Sequence, residues 1–191
     1  MKQIFSHAVI SACLMLSIFS VSGQLRLPAA NNGISNELAK VVKDYPNHFQ
    51  NITGELIIQN PQSTDYESTV KLKDAEECIV TEYTSKKQNH YSWQAKLFAT
   101  DDFDAAAKKF KTCFSQLQNM TVKIGQQAYH FTGAYESPSD EKKFTAVIFE
   151  SGAKDELMGK LKIELLTSHE TIHVQFQINK YRDVIEIWLA L

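Results

Sequence analysis

Apolar and polar positions along the chain follow two periods, one helical and one of strands. Over residues 36–49, Leu38, Val41, Val42 and Tyr45 recur at helical spacing, and Pro46 ends or kinks the helix because its ring removes a backbone donor. The signal over residues 101–119 is stronger. Asp101 or Asp102 offers an N-cap, Ala105-Ala106-Ala107 favours helix, and Phe103, Ala107, Phe110, Phe114 and Leu117 form one stripe. Elsewhere the period is two. Tyr91, Trp93, Ala95 and Leu97 alternate with His90, Ser92, Gln94 and Lys96, and Ile172, Val174, Phe176 and Ile178 alternate with Thr171, His173, Gln175 and Gln177. Such alternation marks antiparallel strands with one face on a core and one in water. Further strands are predicted at 54–59, 66–73, 77–83, 127–133, 144–150 and 161–166, with a last one at 184–191 after a turn at 179–183.

The two helices also begin similar stretches of sequence. Leu38-Ala39-Lys40 through Ile52-Thr53 aligns without a gap on Ala106-Ala107-Lys108 through Met120-Thr121. Downstream, Ile52-Thr53-Gly54 echoes Phe131-Thr132-Gly133, Asn60-Pro61 echoes Ser137-Pro138, and Tyr83-Thr84-Ser85 echoes Leu166-Thr167-Ser168, once an extra segment near 122–130 is allowed for. The pattern predicts an α+β fold of two layers, an antiparallel sheet with helices on one face, built as a tandem duplication of a helix-plus-strands unit with halves 36–100 and 101–191.

Residues 1–23 are different in kind. Lys2 is followed by an almost wholly apolar run over 8–21, and Val21-Ser22-Gly23 supplies small residues for a peptidase, the layout of a cleaved signal peptide. An alternative reads Ile10-Ser11-Ala12-Cys13 as a lipobox with Cys13 acylated. Cleavage after Gly23 leaves 168 of the 191 residues, a flexible lead-in over 24–35 and a single domain over 36–191 with no transmembrane segment. It also removes one base and no acid, so 20 basic and 22 acidic residues become 19 and 22. That mild acidity, with its densest basic spot (Lys108, Lys109, Lys111) on a helix face, argues against nucleic-acid binding. The expected location is secreted or periplasmic, where the two remaining cysteines, Cys78 and Cys113, are expected to form a disulfide, two buried thiols being the other reading.

One motif invites a catalytic reading. His169-Glu170-Thr171-Ile172-His173 matches the zinc-peptidase pattern, which works only on a helix, where residues four apart share a face and both imidazoles reach one ion. Here the alternation from Thr171 onward predicts a strand, in which residues four apart are separated by roughly 13 Å. The segment therefore reads as a hairpin turn followed by a strand, and a zinc-dependent peptidase stays a remote alternative. Nothing resembles a nucleophile elbow or a glycine-rich phosphate loop, so no catalytic residue, cofactor or metal ligand is assigned. Asn51-Ile52-Thr53 and Asn119-Met120-Thr121 are sequons at equivalent positions of the repeat, which duplication explains without glycosylation.

The junction at Gly23-Gln24 and the runs NELAKVVKDYPNHFQNITGELI and AEECIVTEY resemble uncharacterised secreted proteins of the Bacteroidota group. The resemblance implies localisation and transfers no site. The sequence leads first to a non-enzymatic interaction module that binds a protein partner on an open polar sheet face or an edge strand, with His90, Ser92, Gln94, Lys96, His173, Gln175 and Gln177 as the candidate face. The alternative is a carrier of a small apolar ligand, in a pocket between helix and sheet lined by Tyr91, Trp93, Phe110, Phe114 and Phe176.

Overall fold

The computed structural model describes residues 33–86, 89–139, 141–168 and 173–179, so the expectations for the leader, for most of the lead-in and for a strand at 184–191 lie outside the described residues. Helix α1 (Ile34–Asp44) is shorter than the periodicity predicts. After Asp44 the chain tightens into a 3-10 turn, Tyr45–Asn47, at Pro46, and His48 (φ 56°) and Phe49 (φ 61°) then adopt left-handed conformations. Asp44 is the reason this turn holds. Its buried carboxylate accepts from the Asn51 amide at 3.0 Å, the Asn51 Nδ2 at 2.6 Å and the Asn47 Nδ2 at 3.0 Å, which offsets the cost of burying a charge.

Helix α2 (Phe103–Leu117) starts at Asp102, whose carboxylate accepts from the Ala105 amide at 3.1 Å, as an N-cap should. Its buried stripe is Ala106, Phe110, Cys113 and Leu117, rotated from the predicted one. Phe114 lies at the edge of that stripe, its ring 4.8 Å from that of Tyr135 and 5.6 Å from that of Phe149.

The main sheet has seven antiparallel strands. They are β1 (Thr53–Gln59), β2 (Ser63–Ser68), β3 (Glu77–Tyr83), β4 (His90–Ala99), β7 (Phe144–Glu150), β8 (Lys162–Ser168) and β9 (His173–Asn179), in the order β1-β2-β3-β4-β9-β8-β7. A separate hairpin is formed by β5 (Thr121–Ile124) and β6 (Gln127–His130). The sequence placed the second strand at 66–73. It ends earlier because Ser68 turns the chain, its Oγ donating to the Val70 carbonyl at 2.9 Å and accepting from the Val70 amide at 3.2 Å.

Both helices cover one face, with α2 across β4, β9 and β8 and α1 beside α2 and β5. The fold is therefore the two-layer α+β architecture that the patterning predicts. A single core cluster joins Leu38, Val42 and Tyr45 of α1 to Phe110 and Leu117 of α2 and to Val80, Trp93, Ile163 and Ile178 of the sheet. Trp93 is completely buried, and its indole N–H donates to Ser68 Oγ at 2.9 Å.

The sheet order is symmetric about the β4–β9 pair. Strands β1 to β4 come from the first half of the chain and β7 to β9 from the second, where an isolated bridge between Thr132 and Glu150 occupies the place next to β7 that β1 takes beside β2. The ungapped helix alignment pairs Leu38 with Ala106, Val42 with Phe110, Tyr45 with Cys113, Phe49 with Leu117 and Ile52 with Met120, and every one of these residues is buried. The aligned glycines behave alike too. A Cβ on Gly54 would meet the Glu67 carbonyl at 3.0 Å, and one on Gly133 the Ile148 carbonyl at 2.9 Å. Residues 121–130 form the β5–β6 hairpin, whose ends are closed by the Phe131 amide donating to the Met120 carbonyl at 2.8 Å.

Candidate functional site

Cross-strand partners share a face of a sheet, so register builds the surface opposite the helices. Working along β3 and β4, the pairs on that face are Tyr83 with His90, Thr81 with Ser92, Ile79 with Gln94, and Glu77 with Lys96. On its other side β4 sets Gln94 in register with Gln177, Lys96 with Gln175, and Ala99 with His173. The alternation thus located four of its candidate positions (Gln94, Lys96, Gln175 and Gln177) on adjacent strands. His90 and His173 fall at opposite ends of β4, about 30 Å apart at strand rise.

Ser92 is a correction. Expected in water, it is 2% exposed, and its hydroxyl has no hydrogen-bond partner among the described residues. Both Ser92 and its cross-strand partner Thr81 carry short side chains set among longer neighbours on the same face, and both are buried.

The same face carries a cavity of about 390 Å³ that the sequence did not reveal, lined by Ile57, Glu67, Lys71, Glu76, Glu77, Cys78, Ile79 and Lys96. Two ion pairs lie among its lining residues, Lys71 to Glu67 at 3.3 Å and Lys96 to Glu76 at 3.0 Å, and Glu76 also accepts from the Ala99 amide at 3.1 Å. Glu77 adds a third carboxylate across the strand from Lys96. Lys96 alone belonged to the predicted face. The other residues are separated in sequence by the loop between β2 and β3, and only the strand order gathers them. Cys78, in register with the buried Ala95, belongs to the core side of β3. Burial pushes its thiol pKa up, against a smaller opposing effect of the Leu72 amide, which donates to Sγ at 3.4 Å. A thiol held neutral is a poor nucleophile.

Cys78 on β3 and Cys113 on α2 stand as two separate buried thiols of the core. Of the aromatics expected to line a ligand pocket, Trp93 and Phe110 are completely buried core residues. The Tyr91 hydroxyl donates to Glu82 at 3.0 Å, and its pKa is raised by desolvation first and by Glu82 second. The side chain of Phe176 lies outside the described residues, as do residues 169–172 of the His-Glu-Thr-Ile-His segment. His173 opens β9 opposite Ser168. Among the described residues no three His, Cys, Asp or Glu side chains are grouped to hold a metal ion, and no helix is long and apolar enough to cross a membrane.

Beside the cavity runs β1, the outermost strand at its end of the described sheet. Leu56, Ile57 and Ile58 are 57%, 48% and 49% exposed, three consecutive large aliphatic side chains at a sheet edge. Two register shifts against β2, between Thr53 and Leu56 and between Leu56 and Ile58, break the alternation of β1. The opposite edge is paired at one end of its outer strand. There Thr132 and Glu150 exchange both backbone hydrogen bonds, each 3.0 Å, alongside β7.

The chain has no significant match among protein-family models, curated proteins or solved structures.

Proposed function

We propose that this protein is a non-enzymatic interaction module, working in the periplasm or outside the cell, that binds a protein partner on the helix-free face of its sheet. The observation that carries this reading is the cavity of about 390 Å³ between Ile57 and Lys96, opening beside the exposed aliphatic run of β1. Apolar anchor points next to paired charges form the mixed surface that protein partners use, an apolar centre with a polar rim. The buried hydroxyl of Ser92, without a hydrogen-bond partner among the described residues, lies on the same face. The carrier reading has less support, because Trp93 and Phe110 fill the core between helix and sheet. The match of buried positions between the halves also supports their origin by tandem duplication.

The test is site-specific photocrosslinking in the native cell. A photoreactive residue at Glu67 should yield one discrete adduct with a second, different protein, and the same probe at Ser115 on the outer side of α2 should not. The Glu67 adduct should disappear in Ile79→Asp. Equal labelling from both positions, or none from Glu67, would rule out this face as the binding surface.

A further inference from the structure

We infer that the edge strand β1 pairs with β1 of a second copy of this chain, antiparallel and centred on Ile57, to join two seven-stranded sheets into one. The inference goes beyond the partner-binding reading and rests on the edge itself. An edge strand presents unpaired backbone N–H and C=O groups and is a template for another strand unless something guards it. The residues between Gly54 and Asn60 include one charge, Glu55, and no lysine or proline stands among them. Pairing about Ile57 sets Ile57 against itself, Leu56 against Ile58, and Glu55 against Gln59, whose amide can donate to the carboxylate. No like charges meet, and every exposed aliphatic residue of β1 faces another.

The geometry also fixes the number of copies. At the far edge the Thr132–Glu150 bridge takes up the last residue of β7, whereas β1 presents three consecutive exposed aliphatic residues, so β1 is the self-complementary edge among the described strands. A self-complementary patch used once per chain closes as a two-fold dimer and does not propagate into a fibre. The two register shifts in β1 add twist that limits the length of the new ladder, and the interface falls toward the small end of specific contacts. The dimer is therefore reversible and concentration-dependent.

Sedimentation equilibrium on the purified protein tests this. The mass should rise toward that of a dimer between about 5 and about 500 μM, the range suited to a small interface. Ile57 is its own partner at the two-fold axis, which provides a specific control. Ile57→Lys and Ile57→Glu should each be monomeric, since each places like charges in contact, and an equimolar mixture of the two should recover the dimer. Ile57 is half exposed, so both variants leave the core intact, and a cooperative thermal transition in each confirms it. A monomer at every wild-type concentration, a dimer indifferent to both variants, or a mixture that stays monomeric would each overturn the proposal. The concentration series on the wild-type chain is read without the Glu67 crosslink to a different protein, and a wild-type monomer leaves that crosslink untouched, so the two readings fail separately.

Discussion

Ser68 and Cys113 show how single side chains hold this fold. Ser68 terminates β2 and accepts the indole N–H of Trp93 in a fully buried site. Ser68→Ala leaves that donor without a partner, which costs about 1 to 3 kcal/mol. Urea unfolding should show the loss as a lower midpoint at unchanged slope, and an unchanged midpoint would mean the indole finds another acceptor. Cys113 makes a prediction in pH. Burial raises its thiol from an ordinary value of 9.0 to about 11. The unfolded thiol ionises first, so the unfolded state binds fewer protons between those values, and stability falls as pH rises through that window. Below pH 9 the contribution is fully present. Its loss by pH 11 amounts to about 2 to 3 kcal/mol at 1.36 kcal/mol per unit. Urea midpoints at pH 8 and 10.5 should therefore converge more in Cys113→Ala than in the wild type, and equal pH slopes would remove the effect. The sequence did not single out Ser68, because hydrogen bonds across 25 residues have no local pattern, whereas for Cys113 it expected a disulfide and held a buried thiol as the other reading.

At the level of elements, local chemistry was a good guide wherever one residue decides a boundary. Asp102 starts α2, and Pro46 with Asp44 ends α1. The predicted spans 77–83 and 144–150 are β3 and β7 as observed. Periodicity was weaker where two faces are half-buried, so the stripe of α2 was displaced onto Ala107 and Phe114 from the buried Ala106 and Cys113. The β5–β6 hairpin is the clearest element-scale test. Its ends meet at the hydrogen bond from Phe131 to Met120, and it corresponds to nothing in the first half. A chain with residues 121–130 excised and Met120 joined to Phe131 should still fold. It loses the burial of Val122 and the packing of β5 on α1, which costs about 2 to 4 kcal/mol. Retained cooperative unfolding at a lower temperature is the expected result. A molten chain would show that the hairpin is integral to the core.

For the molecule as a whole, the assembly predicted through β1 makes the sheet of one copy continuous with that of the other and places two cavities beside the same two-fold axis. The sequence by itself determined the fold class, the cap that starts α2, most strands and the alternating residues of β4. These are properties of neighbouring residues, set by periodicity, capping and turn chemistry over a few positions. Tertiary structure alone decided the strand order β1-β2-β3-β4-β9-β8-β7. That order makes β1 an edge and leaves Leu56-Ile57-Ile58 exposed. It also brings Glu67, Glu76 and Glu77 to one cavity with Lys71 and Lys96. The reason is physical. A strand's own sequence specifies which side chains alternate, but which strand lies beside it depends on burying the shared core, an energy that belongs to the whole chain.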